Sequence, residues 1–320
     1  MNILITGING FVGSNLYKSF SRSFQLSGLD IFNKDLVPSN KFYYWNDLPQ
    51  IHNFDSIIHL AGKAHDTKNT SSEQEYYDIN VGLTQKIFQH FLKSSATKFI
   101  FFSSVKAVAD NVMGKFLTED AQPSPQTPYG KSKYEAENYI LNQLEKWKRA
   151  ETVAGRNNDW KKVYILRPCM IHGAGNKGNL NLLYKLAQKG LPWPLGAFEN
   201  NRSFTSMQNL MFVIQELIEK DIEPGIYQIA DDEPLSTTEL IHLMANSLTK
   251  KARIWNISPN IIKLIAKTGD KLCLPLNSER LKKLTESYVV SNQKLKKALG
   301  IEKMPITASE GMKKTFASFL

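Results

Sequence analysis

The segment Thr6-Gly7-Ile8-Asn9-Gly10-Phe11-Val12-Gly13 joins an apolar run to a helical pattern near the start of the chain. The run Asn2 to Thr6 predicts a strand, and the pattern that begins at Phe11 predicts a helix. The three glycines let the backbone turn tightly and let a diphosphate approach the helix N-terminus, where free N–H groups and the helix dipole favour negative charge. This strand–turn–helix context predicts a dinucleotide site built from Gly7, Asn9, Gly10, Phe11, Val12 and Gly13.

Outward from this turn, short apolar runs alternate with longer helical patterns. Strands are predicted at 24–31, 42–45, 56–60, 98–102 and 163–166, and helices at 11–24, 72–95 and 129–147. This alternation predicts an α/β fold, a doubly wound parallel sheet of Rossmann type.

Beyond Arg167-Pro168 glycines and prolines become dense, and the tail from Asp231 has mostly helical patterns. Between them, a helix at 207–218 and a strand at 225–229 look like a late return to the main sheet. We therefore expect a dinucleotide-binding domain at 1–168 and 204–230. A smaller, mostly helical substrate-binding domain is expected at 169–203 and 231–320.

The bulk composition is that of an ordinary globular protein, with 320 residues, 42% hydrophobic and 22% charged. No apolar run reaches the roughly 18 residues of a transmembrane helix, and the N-terminus lacks the pattern of a signal peptide. The two cysteines, Cys169 and Cys273, indicate no disulfide framework, which favours a reducing cytoplasm.

The net charge of +10 has two interpretations. It could attract anionic ligands such as diphosphates, nucleic acid or anionic lipid, or it could be a solvated basic surface. No zinc-finger spacing or ribonucleoprotein motif is present, so neither a nucleic-acid partner nor a metal site is predicted. Part of the charge lies at 146–149 and 161–162, around a polar stretch at 150–159 that is predicted as an exposed loop. Peripheral contact with a membrane through these basic residues is a further interpretation.

An acidic residue, Asp30, ends the second predicted strand. Its carboxylate can accept hydrogen bonds from the adenosine ribose and would repel a 2′-phosphate, so NAD is favoured over NADP. Lys34 lies close enough to keep NADP as the lesser alternative. Asp47 and Leu48 follow the third strand, where they either meet the adenine or form a simple acidic turn.

Tyr129 and Lys133 are four residues apart, so on a helix both side chains point the same way. A phenol has a pKa of about 10, and a nearby ammonium together with an oxidised nicotinamide would stabilise the phenolate. The pair therefore predicts a general acid/base that moves a hydroxyl proton during hydride transfer.

These residues together resemble the extended short-chain dehydrogenase/reductases, of the NAD-dependent epimerase/dehydratase type. The resemblance covers nearly the whole chain and rests on the glycine turn, His59-Leu60-Ala61-Gly62, Asn80-Val81-x-Leu83-Thr84, Phe102-Ser103-Ser104, Tyr129-x-x-x-Lys133 and Arg167-Pro168. It implies that Leu60, Ala61 and Gly62 line the cofactor cleft and that Asn80 lies beneath the active site. It also implies a homodimer through the helices that carry Asn80 and Lys133.

The resemblance extends to the expected substrate end. It implies that Asn179 and Leu180 hold a nucleotide-sugar diphosphate, with UDP the expected nucleotide, and that Arg202 grips the phosphates. A guanidinium can bind two phosphate oxygens at once. Lys177 is expected to assist, and His172 is interpreted as a packed core histidine.

The sequence departs from the family pattern beside the tyrosine. The usual Ser or Thr that bonds the substrate oxygen is Val105 here, and a valine cannot relay a proton. Ser104 substitutes if the backbone shifts, or Lys106 reaches the sugar or its phosphates, where a buried lysine could also act as an acid. The alternative for Lys106 is a solvent-facing residue. The lack of an Asp-Glu pair at this point argues against 4,6-dehydration.

The predicted function is therefore NAD(P)-dependent hydride and proton exchange at C4 of a nucleotide sugar, by a 4-epimerase or a 4-ketoreductase that serves surface-polysaccharide synthesis. Two alternatives stay open. One is a non-catalytic dinucleotide sensor, and the other is a reductase that acts on a lipid-linked sugar diphosphate at the membrane surface.

Overall fold

Short apolar runs, rich in β-branched and aromatic residues, form the strands. The computed structural model describes residues 1–64, 72–155, 160–176, 178–272 and 277–319. Its strands are β1 (Asn2–Thr6), β2 (Gln25–Asp30), β3 (Phe42–Tyr44), β4 (Ser56–His59), β5 (Lys98–Phe102), β6 (Lys162–Pro168), β7 (Met170–His172), β8 (Phe204–Ser206) and β9 (Gly225–Ile229).

Seven of these described strands form one sheet in the order β3-β2-β1-β4-β5-β6-β9, and every neighbouring pair is parallel. The chain order reverses between β1 and β4, and such a switch point opens a crevice at the carboxyl ends of the strands. Strands β7 and β8 form a separate parallel pair. The predicted Rossmann-type sheet, with β9 as its late return, is thus confirmed.

Helices join and cover the strands. They are α1 (Phe11–Phe20), α2 (Glu73–Lys93), α3 (Pro128–Val153), α4 (Asn179–Gln188), α5 (Met207–Glu219), α6 (Thr237–Ser247), α7 (Pro259–Leu272), α8 (Ser278–Thr285), α9 (Gln293–Leu299) and α10 (Ala308–Ala317). Local sequence sets where the long helices begin. Ser72, Thr127 and Ser206 stand just before α2, α3 and α5, and each side chain accepts a hydrogen bond from a first-turn N–H group.

Two helices end four or more residues away from their predicted ends. Helix α1 ends at Phe20, four residues early, because 21–23 turn before β2 begins. Helix α3 continues to Val153, so the predicted loop at 150–159 starts inside a helix, and residues 156–159 lie outside the described part of the chain. An i,i+4 ion pair between Glu145 and Arg149 supports this extension.

The apolar side chains of the main sheet are buried on both of its faces. One face packs against α1 and α5, and the other packs against α2 and α3. A third cluster, built from α4, α6, α7, α8 and α10, forms the core of the C-terminal part. Helix α9 differs from the rest of the tail, since Leu295 and Leu299 pack into the sheet cluster. The exact domain boundaries remain a prediction.

Candidate active site

The turn between β1 and α1 is too close-packed for side chains at two of its glycines. Gly7 has a φ of +68°, and a Cβ there would lie 2.8 Å from the backbone of Ala61. A Cβ on Gly13 would lie 2.5 Å from the carbonyl oxygen of Gly7. Gly10 gives α1 no side-chain cap, so the N–H groups of its first turn stay available to an anion at the cleft.

This turn forms one end of a cleft of about 580 Å³. Its other walls come from the ends of β4, β5 and β6, the start of α3, and the segment before α4. Arg202 and Tyr288 close it from the C-terminal part. The predicted residues that line it are Gly7, Gly10, Phe11, Val12, Gly13, Leu60, Gly62, Ser104, Lys106, Tyr129, Lys133 and Arg202.

Asp30 ends β2 and braces the glycine turn. Its Oδ2 atom accepts hydrogen bonds from the backbone N–H of Asn9 at 3.0 Å and from the side-chain amide of Asn9 at 3.2 Å. Its Oδ1 atom accepts the N–H of Ile31 at 2.8 Å. The carboxylate is partly exposed, so it can still meet a ribose at the rim of the turn.

Asp47 and Leu48 lie apart from these lining residues. The Asp47 carboxylate accepts the N–H of Tyr44 at 2.7 Å and caps a short 3₁₀ turn at Trp45–Gln50. Leu48 is buried in the core cluster beneath the sheet. Their contact with an adenine therefore stays a prediction, and the local geometry is that of a capped acidic turn.

Asn80 holds the backbone that follows β4 through hydrogen bonds to Lys63. From inside α2 its Oδ1 atom accepts the N–H of Lys63 at 2.7 Å, and its Nδ2 atom donates to the Lys63 carbonyl and to Ser132. A Cβ on Gly62 would lie 2.8 Å from Asn80 Oδ1 and 3.1 Å from the Nζ atom of Lys133. Asn80 thus positions the 61–63 backbone rather than lining the cleft itself.

Tyr129 occupies the first turn of α3 and lines the cleft. Burial raises the pKa of its phenol, and a hydrogen bond with the Ser104 hydroxyl acts in the opposite direction. Ser104 also accepts the N–H of Lys106 at 3.2 Å, because a 3₁₀ turn begins directly after it. The backbone thus places Ser104 at the phenol, while Val105 is buried against Val108 and Tyr288.

Lys133 lies one turn along α3 and is buried. Its ammonium donates to the carbonyl oxygen of Phe102 at 2.8 Å and lies 4.9 Å from the centre of the Phe101 ring. Burial lowers its pKa to about 8, against the opposing attraction of the Glu137 carboxylate. Glu137 itself forms a buried ion pair with Arg167, whose Nη2 atom lies 2.6 Å away.

Lys106 is neither free nor fully solvent-facing. Its Nζ atom donates to the carbonyl oxygen of Asp110 at 2.9 Å and lies 4.3 Å from the centre of the Tyr288 ring. Burial lowers its pKa, the Asp110 carboxylate raises it, and the charge of Arg202 lowers it. The residue is therefore part of the cleft wall, with its amine held by these contacts.

The predicted phosphate end is only partly described. Arg202 lines the cleft, and its Nη1 atom donates to the carbonyl oxygen of Lys283 at 2.6 Å, which aims the guanidinium. Leu180 is buried in the C-terminal core, so its backbone at the start of α4 is the part that could face a ligand. Lys177 and the side chain of Asn179 lie outside the described part of the chain.

His172 lies in the core, as the sequence interpretation expected. Its ring is buried, with Nδ1 2.8 Å from the Thr315 hydroxyl and Nε2 3.5 Å from the Asp231 carboxylate. Asp231 also accepts hydrogen bonds from Ser206 and Asn209. This network ties β7, β8 and α10 together behind the cleft.

Three further cleft residues were missed by sequence reasoning. Ser103 has a buried hydroxyl with no partner among the described residues, and Cys169 has a thiol whose pKa is raised by burial. Tyr288 donates to the carbonyl oxygen of Ala109 at 2.7 Å. The signal for Tyr288 was the short β-rich run at 286–291 within an otherwise helical tail.

The cleft fits a dinucleotide. The uncapped first turn of α1 offers N–H groups to a diphosphate, and Asp30 stands where β2 ends, at the position of a ribose. Tyr129 and Lys133 line the same cleft, where a nicotinamide would meet its substrate. This fold with this site defines an extended short-chain dehydrogenase/reductase.

Comparisons with known proteins agree. The model of the NAD dependent epimerase/dehydratase family matches residues 3–230. The UDP-glucose 4-epimerase of Vibrio cholerae is 30% identical, over all of this chain and 95% of that protein. The chain belongs to the NAD-dependent epimerase/dehydratase family, and NAD is the cofactor that its cleft fits.

A more distant sequence relative and a solved structure are also similar to the chain. The chain is 27% identical to the N-acetyl-alpha-D-glucosaminyl-diphospho-ditrans,octacis-undecaprenol 4-epimerase of Escherichia coli O157:H7, over 78% of this chain and 73% of that protein. The solved structure of Thermotoga maritima UDP-glucose 4-epimerase with UDP-glucose has a TM-score of 0.74 at 20% identity. That match covers 100% of this chain and 98% of the other. It shows that the fold is shared.

Proposed function

We propose that this chain is an NAD-dependent 4-epimerase of a UDP-linked hexose or N-acetylhexosamine. The observation that carries the proposal is the placement of Tyr129, Ser104 and Lys133 in one cleft that Arg202 closes from the other side. The relatives from Vibrio cholerae and Escherichia coli are both named as 4-epimerases, which supports the choice of reaction.

In this proposal each side chain has one task. Tyr129 takes the proton from the sugar O4 and returns it, while Ser104 bonds the phenol and the same oxygen. Lys133, one turn along α3, is proposed to favour the ionised form of the phenol through its positive charge. Bound NAD supplies the hydride acceptor at C4. Arg202 binds the diphosphate, with Lys177, Asn179 and Leu180 proposed as its neighbours.

Lys106 is proposed to contact the sugar or its phosphates from the cleft wall. Its ammonium is already oriented by the Asp110 carbonyl and the Tyr288 ring, so little side-chain freedom is lost when a ligand binds. This makes it a positioning cation beside the Ser104–Tyr129 pair. Val105 takes no part in proton transfer.

A 4-ketoreductase is the second candidate, favoured by one observation. Burial raises the pKa of Tyr129, which keeps the phenol protonated and ready to donate to a ketone oxygen. A lipid-linked sugar diphosphate is a second substrate class, since one relative is named for such a substrate. A homodimer through the outer faces of α2 and α3 is also part of the proposal, on family resemblance.

The test is turnover of UDP-hexoses and UDP-N-acetylhexosamines by the purified chain without added cofactor, followed by NMR. We expect an equilibrium mixture of C4 epimers, and a loss of about 10³-fold or more in kcat for Tyr129→Phe. Tyr134→Phe, at the residue directly after Lys133 in α3, is the matched control and should keep full activity.

Two results would contradict the proposal. Consumption of one NADH per 4-keto sugar, with no epimer formed from UDP-hexoses, would identify a reductase. NAD binding without any turnover, equal in wild type and Tyr129→Phe, would identify a dinucleotide sensor.

A further inference from the structure

Helix α7 exposes an apolar face in the C-terminal part. Ile261, Leu264, Ile265 and Leu272 are 54%, 66%, 45% and 64% exposed. Their spacing of three, one and seven residues places them on one side of a helix, where Thr268 continues the row. Exposed large aliphatic side chains are ordinary when scattered, but a continuous row on one helix marks an interaction surface.

The same helix has two other faces. Ile262 and Ala266 are buried in the C-terminal core, which anchors α7 to the rest of the fold. Lys263, Lys267 and Lys271 repeat every four residues and are exposed, so they form a row along the helix. On a helical wheel this lysine row flanks the exposed apolar face on the side away from the core.

The neighbouring surface has the same character. Trp255, four residues before α7, is 56% exposed. Its segment pairs with the chain after α4, because the backbone of Trp193 bonds to Arg253 and Trp255. Lys250 joins the same segment to the end of α4 through the carbonyl oxygen of Gln188. Helix α4 itself exposes Leu182 and Leu186, one turn apart.

We propose that α7 binds the surface of an anionic lipid membrane, with its apolar face in the headgroup region and its lysine row toward the phosphates. An amphipathic helix with a basic flank lies in the plane of a membrane and gains from both buried apolar area and charge. Tryptophan favours the same interfacial depth. None of the helices in the described ranges is long and apolar enough to cross a membrane.

Charge selects lipid over a second copy of the chain. An isologous contact through α7 would bring two lysine rows into one interface, whereas an anionic membrane pairs with them. The basic segment at 146–162 is a poorer membrane contact. Lys161 is buried on three carbonyl oxygens, Arg149 pairs with Glu145, and Lys162 pairs with Asp221.

The surface has a geometric link to the cleft. Gly178 lines the cleft and directly precedes α4, whose exposed leucines lie along the same helix. Membrane binding itself does not depend on the proposed reaction. Activity on a soluble UDP-sugar, measured on the same variants, therefore separates a failure of this inference from a failure of the proposed function.

The experiment is flotation of the full chain with vesicles of phosphatidylcholine alone or with one-third phosphatidylglycerol, at low and high salt. We expect binding to the anionic vesicles only, reduced by salt. Changing Lys263, Lys267 and Lys271 together to glutamine should weaken partitioning roughly 100-fold. Leu264→Glu should weaken it about tenfold or more. Activity on soluble substrate should be unchanged in both variants.

Matched controls carry the same charge changes elsewhere. Lys18, Lys115 and Lys303 changed together to glutamine keep the net charge equal to that of the triple α7 variant. Val153→Glu adds one carboxylate at a side chain that is 90% exposed, within the other basic segment. Both controls should bind vesicles nearly as well as wild type.

Three results would overturn the inference. Wild-type protein could fail to float with anionic vesicles. Val153→Glu could abolish flotation while Leu264→Glu leaves it intact, which would move the contact to the 146–162 segment. Leu264→Glu could instead change the oligomeric state in sedimentation velocity without any vesicle binding, which would make α7 a contact between copies of the chain.

Discussion

At the scale of single residues, the site depends on a one-residue shift. Val105 occupies the position where the family pattern expects a hydroxyl, yet the phenol of Tyr129 finds its partner in Ser104. The 3₁₀ turn at Val105–Ala107 makes this possible, because Ser104 is the residue that stands before the turn and accepts its N–H. Tyr129 therefore has a hydroxyl partner although residue 105 is a valine.

Ser104→Ala should show this directly. The hydrogen bond from Ser104 lowers the pKa of Tyr129, so its loss should raise that pKa further above the ordinary value. Oxidation of the sugar alcohol needs the phenolate. The pH range in which kcat/KM rises should therefore move to higher pH in Ser104→Ala. We expect kcat to fall on the order of 10²-fold near neutral pH.

Ser103→Ala is the control, since that hydroxyl has no hydrogen-bond partner among the described residues and so gives none to Tyr129. A pH profile of Ser104→Ala that coincides with wild type would remove Ser104 from proton transfer. A loss of activity with normal pH dependence would assign it a structural role only.

Site residues that lie on one helix turn or one strand end could be predicted from the sequence. Site residues contributed by the C-terminal part of the chain could not. Tyr129, Lys133 and Ser104 lie on one strand end and one helix turn, where periodicity fixes their direction. Tyr288 reaches Lys106 and the Val105 carbonyl from 183 residues away. No local pattern carries such a contact, because it depends on how the C-terminal part docks.

At the scale of elements, the β1–α1 turn sets the fold and the site together. The strand, the turn and the helix could be predicted because the glycine spacing and the spacing of the apolar residues indicate the same strand–turn–helix unit. The end of α3 could not be predicted, since the helix runs six residues past its apolar pattern and an ion pair between Glu145 and Arg149 supports that extension. Helix boundaries depend on such weak local effects, while the existence of long helices does not.

Gly13→Ala tests the turn. A Cβ there would lie 2.5 Å from the Gly7 carbonyl oxygen and 2.8 Å from the backbone of Ile8, so the first turn of α1 must move. We expect NAD affinity to fall about tenfold or more and the free energy of unfolding to fall by roughly 1–3 kcal/mol.

Gly82→Ala is its control. A Cβ at this position in α2 meets no atom within 4 Å, and alanine favours a helix by roughly 0.5–1 kcal/mol over glycine. Gly82→Ala should therefore be as stable as wild type or slightly more so, with unchanged NAD affinity. Calorimetry for stability and titration for affinity measure both variants. Equal NAD affinity in Gly13→Ala and wild type would show that the diphosphate does not approach this turn.

At the scale of the whole molecule, the cleft divides its tasks between two parts of the chain. The β1–α1 turn and helix α3 supply the glycines and the Tyr129–Lys133 pair, with Asp30 beside them at the end of β2. Arg202 and Tyr288 come from segments that pack with the C-terminal helices. The cofactor and the nucleotide should therefore be held by different halves. A variant in the sheet part should then lose NAD binding only, and a variant in the C-terminal part should lose nucleotide binding only.

Asp30→Asn should weaken NAD binding about tenfold or more, because a charge-assisted hydrogen bond to the ribose is worth roughly 1.5–3 kcal/mol. It should leave UDP binding unchanged, and asparagine still offers an oxygen to the N–H of Asn9. Arg202→Met should do the reverse, with UDP binding weakened by a similar factor and NAD binding kept. Isothermal titration with each ligand separates the two effects. A loss of both affinities in either variant would contradict this division, because it requires that each substitution weakens the binding of one ligand only.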